Sequence, residues 1–166
     1  MISLVKKLLS KFVKRNYRPD ARDNYLEKIE LSYLFNMFNI FRDIENCPGH
    51  IIELGVGAGR NAIILGNLLK TTGQDGSSRY FGFDSFKSYT SRDLQIEKGL
   101  SFEKWENNSY NFVNNRIKQH NLENVSFLVE GDIRKTLPEF VASRASKKNP
   151  DTLFCRLVYI DTSAYE

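Results

Sequence analysis

Residues Ile51 to Leu69 read IIELGVGAGRNAIILGNLL, a short apolar run, three glycines at alternate positions, and then an apolar pattern at helical spacing. Ile51, Ile52, Leu54 and Val56 form the first part, Gly55, Gly57 and Gly59 the second, and Ile63, Ile64, Leu68 and Leu69 the third. The change of period across a glycine cluster predicts strand, tight turn, helix. Glycine suits such a turn because it reaches backbone conformations closed to other residues and lets another group approach bare backbone. The helix that follows aims unpaired N–H groups and the positive end of its dipole at the same place. A nucleotide-like or carboxylate-bearing ligand is therefore expected over Gly55 to Gly59.

Spacing narrows the choice of ligand. A dinucleotide fingerprint, G-x-G-x-x-G, would put its third glycine at position 60, which is Arg60. The pattern that stands is E-x-G-x-G-x-G, from Glu53 to Gly59.

The chain has 166 residues, 41% of them hydrophobic and 13% aromatic, enough for one globular domain with a real core and unlike a disordered composition. No apolar run is long enough to span a membrane. Cys47 and Cys155 stand alone, without C-x-x-C or Cys/His spacing, so neither a zinc site nor a disulfide framework is indicated and a reducing cytoplasm fits. Of 24 basic and 20 acidic residues, seven and one fall within residues 1–22, leaving 17 and 19 in the remainder. The body is thus slightly acidic, which argues against a nucleic-acid partner.

Met1 to Lys14 sets Ile2, Val5, Leu8, Leu9, Phe12 and Val13 on one helical face and lysines on the other. A helix packed on the domain or on a second subunit is expected, with weak contact to an anionic membrane surface as the alternative. Residues 1–47 read as an N-terminal helical segment, with a second helix from Tyr25 to Asn46, and residues 48–166 as an α/β domain. Arg79 to Phe86 (RYFGFDSF) reads as a second strand ending in Asp84, and Lys87 to Ser101 as a polar lid. A helix is expected from Phe102 to Asn121, with Trp105 packing on the sheet and His120 at its end. Val125 to Asp132 (VSFLVEGD) reads as a third strand. Thr136 to Glu139 (TLPE) has the form of a capping box, with Thr136 as N-cap, Pro138 in the first turn and Glu139 reaching back. Leu157 to Ile160 reads as a fourth strand ending in Asp161.

Four strand-end signals, ELGVGAG, GFDSF, EGD and YIDTSAYE, fall in one order. Together they resemble class I S-adenosylmethionine-dependent methyltransferases, and the second and fourth look most like the macrocin O-methyltransferase group, which acts on sugars of natural products. The resemblance covers residues 48 to 166. It implies a three-layer, doubly wound α/β fold with a mainly parallel sheet, S-adenosylmethionine as cofactor, and O-methylation of a small sugar-like acceptor. By position, Glu53 would help hold the methionine amino end, and Gly55, Gly57 and Gly59 would line the methionine and ribose. Asp84, 25 residues past Gly59, would take the ribose hydroxyls, while Asp132 and the Ile133 N–H would meet the adenine. Asp161 would act on the acceptor hydroxyl and bind a divalent metal such as Mg2+. A sugar hydroxyl is a poor nucleophile, so a base or metal that lowers its pKa is chemically reasonable there.

Two departures weaken parts of that transfer. Ser163 stands where the group shows a second acid, which leaves the metal set short. Only four strands can be counted where the family has seven, so the reading expects a domain truncated after the fourth strand, completed by more chain or by another copy, as in a homo-oligomer. The rivals are an NAD-type oxidoreductase, disfavoured by Arg60, and a non-catalytic S-adenosylmethionine-binding fragment.

Overall fold

The computed structural model describes residues 31–87, 109–145 and 155–162. The expected helix over Met1 to Lys14, the lid from 88 to 101, Trp105 and residues 163–166 lie outside these stretches. Four strands and four helices follow in chain order: α1 (Leu31–Asp43), β1 (His50–Leu54), α2 (Arg60–Thr71), β2 (Tyr80–Asp84), α3 (Tyr110–Gln119), β3 (Ser126–Glu130), α4 (Ile133–Ala145) and β4 (Cys155–Ile160).

All strand pairings are parallel and the order is β3-β2-β1-β4. This is a doubly wound, Rossmann-like α/β sheet. Order runs outward from β1 through β2 to β3, then jumps back to β4 on the other flank of β1. The switch point therefore lies between β1 and β4, and in open α/β sheets ligands sit beyond the carboxyl ends of the strands at such a point.

Strand alternation divides the core between two faces. Ile51, Glu53 and Tyr80 look toward α1, α2 and α3, whose Met37, Phe41, Ile63, Leu65, Val113 and Ile117 close the larger core. Ile52, Phe81 and Phe83 look the other way, against Leu137 and Phe140 of α4. The rings of Phe83 and Phe140 meet edge to face at 5.2 Å. On that second face α4 covers β2 and its neighbours, whereas Val158 and Ile160 of the outer strand β4 remain 52% and 54% exposed.

One expected boundary is corrected. α4 begins at Ile133, a full turn before the anticipated N-cap at Thr136, and Pro138 lies inside it. Asp132 takes the capping position: its Oδ1 accepts from the Arg134 N–H at 3.0 Å, and its carbonyl accepts from the Lys135 and Thr136 N–H groups at 2.9 Å. Thr136 Oγ1 donates back to the Asp132 carbonyl at 3.1 Å, so the hydroxyl is already occupied one turn inside the helix.

Candidate functional site

The carboxyl edge of the sheet gathers the four strand-end signals by continuing the ladder one step past each strand. Gly55 N–H donates to the Phe83 carbonyl at 2.8 Å, Gly131 N–H to Asp84 at 2.9 Å, and Asp161 N–H to Leu54 at 2.8 Å. Gly55, Asp84, Gly131 and Asp161 therefore stand side by side along one rim.

Between β1 and α2 the chain turns through Gly55, Gly57 and Gly59, with φ of 90°, 52° and 77°, all in the left-handed region that glycine enters without strain. Gly59 is the N-cap of α2 and offers no side chain to the helix; no acid lies in the first helical turn. At position 55 the neighbouring chain also demands glycine. A Cβ there would collide with the backbone carbonyl of Asp161, so β4 leaves the sheet directly over Gly55.

Asp84 sits at the end of β2 as expected, but its carboxylate faces the turn. Oδ2 accepts from the N–H groups of Val56 and Gly57 at 2.8 and 2.9 Å, and Oδ1 from that of Phe86 at 2.8 Å. A carboxylate offers about four acceptor positions. Among the described residues three are used here. Phe86 itself holds a φ of 50°, which a bulky residue adopts only when its surroundings enforce it; here these include the Asp84 hydrogen bond and edge-to-face packing on Tyr110 at 5.5 Å. Behind the turn, buried Arg116 of α3 donates from Nη1 to the Ala58 carbonyl at 2.6 Å.

Glu53 is only 1% exposed and lies beneath the turn. Asn61 Nδ2 donates to its Oε1 at 2.6 Å, and the Tyr80 hydroxyl donates to its Oε2. Its lateral partners in the sheet are Gly82 on β2 and Tyr159 on β4. A Cβ at Gly82 would lie 2.8 Å from the Tyr80 oxygen, so the missing side chain makes room for the tyrosine to reach the acid. The Tyr33 hydroxyl of α1 donates to Asn61 Oδ1 at 2.5 Å, and Tyr159 lies near Tyr33 in turn. Arg60 stacks on the Tyr33 ring at 4.0 Å. Burial pushes the Glu53 carboxyl up to about 8, against the Tyr80 and Asn61 hydrogen bonds that lower it, with Asp161 and Asp84 adding to the rise. Burial likewise raises Tyr80, with neighbouring Glu53 adding to it, and takes Tyr159 to about 12.

Asp132 and Ile133 lie at the far end of the same rim. The Asp132 carboxylate is paired with Arg134, Oδ2 to Nη2 at 2.9 Å, and these hydrogen bonds hold its pKa below the usual carboxylate value. Ile133 packs its side chain with Ile52, Phe81 and Phe83. Asp161 is exposed beside the switch point. Among the described residues no three His, Cys, Asp or Glu side chains come close enough to hold a metal ion. Also among the described residues, no helix is long and apolar enough to cross a membrane.

The sequence therefore anticipates the rim residues, but not Tyr33, Asn61, Tyr80 and Tyr159. A signal for them exists: with side chains alternating along β1, Glu53 must share the buried face of Ile51, and a buried acid demands polar partners.

No family model and no curated protein matches this sequence. Solved structures do resemble it. CalS11, a calicheamicin methyltransferase, is 20% identical with a TM-score of 0.64 over 96% of this chain and 66% of its own. A ligand-free structure of CalS11, there described as a TDP-rhamnose 3'-O-methyltransferase of calicheamicin biosynthesis, gives 24%, 0.59, 99% and 68%. The O-methyltransferase NovP gives 21%, 0.55, 66% and 49%. At these identities the likeness is one of fold, and the chain spans about two thirds of CalS11.

Proposed function

We propose that this chain binds S-adenosylmethionine at the glycine turn and belongs to an enzyme that methylates an oxygen of a small, sugar-like acceptor. The observation that carries the reading is the turn itself. Three left-handed glycines lead into a helix whose N-terminus has no side-chain cap, at the switch point of a parallel sheet. Likeness in fold to O-methyltransferases supports it.

In this reading Gly55 to Gly59 run beneath the methionine and ribose, and Asp84 fixes the turn while its fourth acceptor position takes a ribose hydroxyl. The adenine lies toward Asp132 and the Ile133 N–H. Glu53 underlies the methionine end from within the core. The donor's sulfonium supplies both the methyl group and the leaving group. What remains for the protein is to align the acceptor and remove its proton. Asp161 is the candidate base, since its backbone is fixed on Leu54 and its exposed carboxylate stands beside the turn.

Calorimetric titration of the chain with S-adenosylmethionine, S-adenosylhomocysteine and NAD in parallel tests the reading. Binding of the first two and not of NAD is expected. Binding of NAD alone would replace the reading with an oxidoreductase. In a protein with measurable turnover, Asp161→Ala should leave donor affinity within about twofold and lower kcat by roughly 10²-fold or more, the range of a lost general base.

A further inference from the structure

The amino edge of the sheet, opposite the glycine turn, holds a cation whose hydrogen bonds are not all made. Arg156, the second residue of β4, is half-buried, with its guanidinium 5.1 Å from the centre of the Phe41 ring of α1. Its Nη1 donates to Gln74 Oε1. Nε and Nη2 are withdrawn from solvent and have no hydrogen-bond partner among the described residues. These two nitrogens share one edge of the guanidinium, the edge that offers two parallel N–H groups to a carboxylate or a phosphate. Leaving both buried and unpaired costs free energy, so the arrangement calls for an acceptor. Space for one adjoins it. A cavity of about 420 Å³ is lined by Arg156, by Glu45 and Asn46 after α1, and by Gln74, Ser77 and Ser78 after α2. That volume is in the range of sites for small molecules. Ser78 Oγ donates to the Gly49 carbonyl at 2.7 Å and Ser77 Oγ to the Gln74 carbonyl at 3.3 Å, so both hydroxyl protons are committed. Among the described residues, the side-chain donors that remain are the Arg156 edge and the amides of Gln74 and Asn46. Glu45 and Cys47 lie within electrostatic reach of the guanidinium, but neither accepts from Nε or Nη2.

We propose that this cavity is a second binding site, for a small molecule bearing a carboxylate or phosphate group that the Nε–Nη2 edge of Arg156 holds by two hydrogen bonds. One hydrogen bond and one ring contact hold the guanidinium, so a small turn of the side chain brings the unpaired edge to an oxygen in the cavity. The amides of Gln74 and Asn46 donate to the rest of the ligand. A molecule bound there ties the start of β4 to the connections that lead into β1 and β2, at the end of β4 remote from Asp161. The site and the glycine turn lie at opposite ends of β1, so occupancy of one does not require the other.

Nitrogen-resolved NMR of the chain can follow the Arg156 Nε–H resonance, assigned by its loss in Arg156→Lys, while inorganic phosphate or acetate is added against chloride at constant ionic strength. A saturable shift of that resonance and a rise in Tm are expected with at least one of the two. A response to phosphate alone identifies a phosphate site, and a response to acetate alone a carboxylate site. Arg156→Lys keeps the charge but not the paired N–H groups, and should weaken the anion's effect on Tm by roughly tenfold in concentration. Glu45→Gln removes the like charge of the lining and should tighten binding by roughly two- to fivefold. Neither anion exceeding chloride, or stabilisation that persists unchanged in Arg156→Lys, would overturn the inference. So would an Nε–H resonance that moves in Glu45→Gln before any anion is added, since Glu45 would then be the acceptor. If Arg156→Lys fails to fold, the wild-type titrations and Glu45→Gln decide. None of these results bears on donor binding at the glycine turn.

Discussion

Two strand-to-helix junctions lie on the same rim, and they are built in opposite ways. At the β3–α4 junction, Asp132 caps its own helix and pairs with Arg134 two residues on, so the acid and the helix N-terminus satisfy each other. At the β1–α2 junction no local side chain caps the helix. Gly59 stands at the N-cap, and Asp84 is supplied from the neighbouring strand to amides upstream of the helix. The first junction closes on itself by local interactions. The second is held from a distance by Asp84, the β4 backbone, Arg116 and the Glu53 network, and its helix end has no side-chain cap. A junction held by remote groups leaves its helix N-terminus without a local acid to neutralise it, which is what a site for an anionic group needs.

The contrast predicts how each junction responds to damage. The largest effect is expected at position 55. Gly55→Ala must place a Cβ against the Asp161 carbonyl at a φ of 90°, so roughly 3 kcal/mol or more of stability should be lost, together with donor binding. Denaturant melts and titrations would measure both, and a near-neutral result would show that β4 does not bear on the turn. Next is the pH response of Glu53. Its folded value is raised from 4.5 to about 8, so in that window the folded state holds a proton that the unfolded state has released. Stability from this group is complete below the lower value and declines as pH rises to the upper one. Glu53→Gln should therefore flatten the fall in Tm between about pH 5 and 8, by an amount on the order of a few kcal/mol in the wild-type slope. Matching slopes in the two proteins would mean that Glu53 is not the titrating group.

Asp84→Ala removes the acceptor of three backbone N–H groups and should cost about 1–3 kcal/mol in stability, with a similar loss in donor affinity. The smallest effect belongs to the self-contained junction. Asp132→Ala loses a solvent-exposed cap and ion pair, so its Tm should fall less than that of Asp84→Ala, and added salt should narrow the difference from wild type. A larger fall at Asp132 than at Asp84 would reverse the comparison.

What the sequence disclosed follows the same division. Strand, turn and helix over Ile51 to Leu69 were legible because period and glycine placement are local properties, and the strand-end acids stood out at the close of short apolar runs. The partners of those residues were not legible. Asp84 faces backbone amides of a turn 27 and 28 residues earlier, and Glu53 meets Tyr80 from a strand 27 residues later. The cap of α4 was misplaced for a different reason. Thr136 and Glu139 satisfy the pattern of a capping box, but Asp132, four residues earlier, has a carboxylate that reaches the Arg134 N–H first. Two start signals compete there, and sequence spacing does not decide between them.

The glycine turn is tested most directly by amide hydrogen exchange of the chain with and without S-adenosylhomocysteine. Protection should rise most over residues 55–62, where the glycine turn enters the uncapped helix, and NAD at the same concentration should leave those amides unchanged. Unaltered exchange there with S-adenosylhomocysteine, or protection by NAD in its place, would contradict the account.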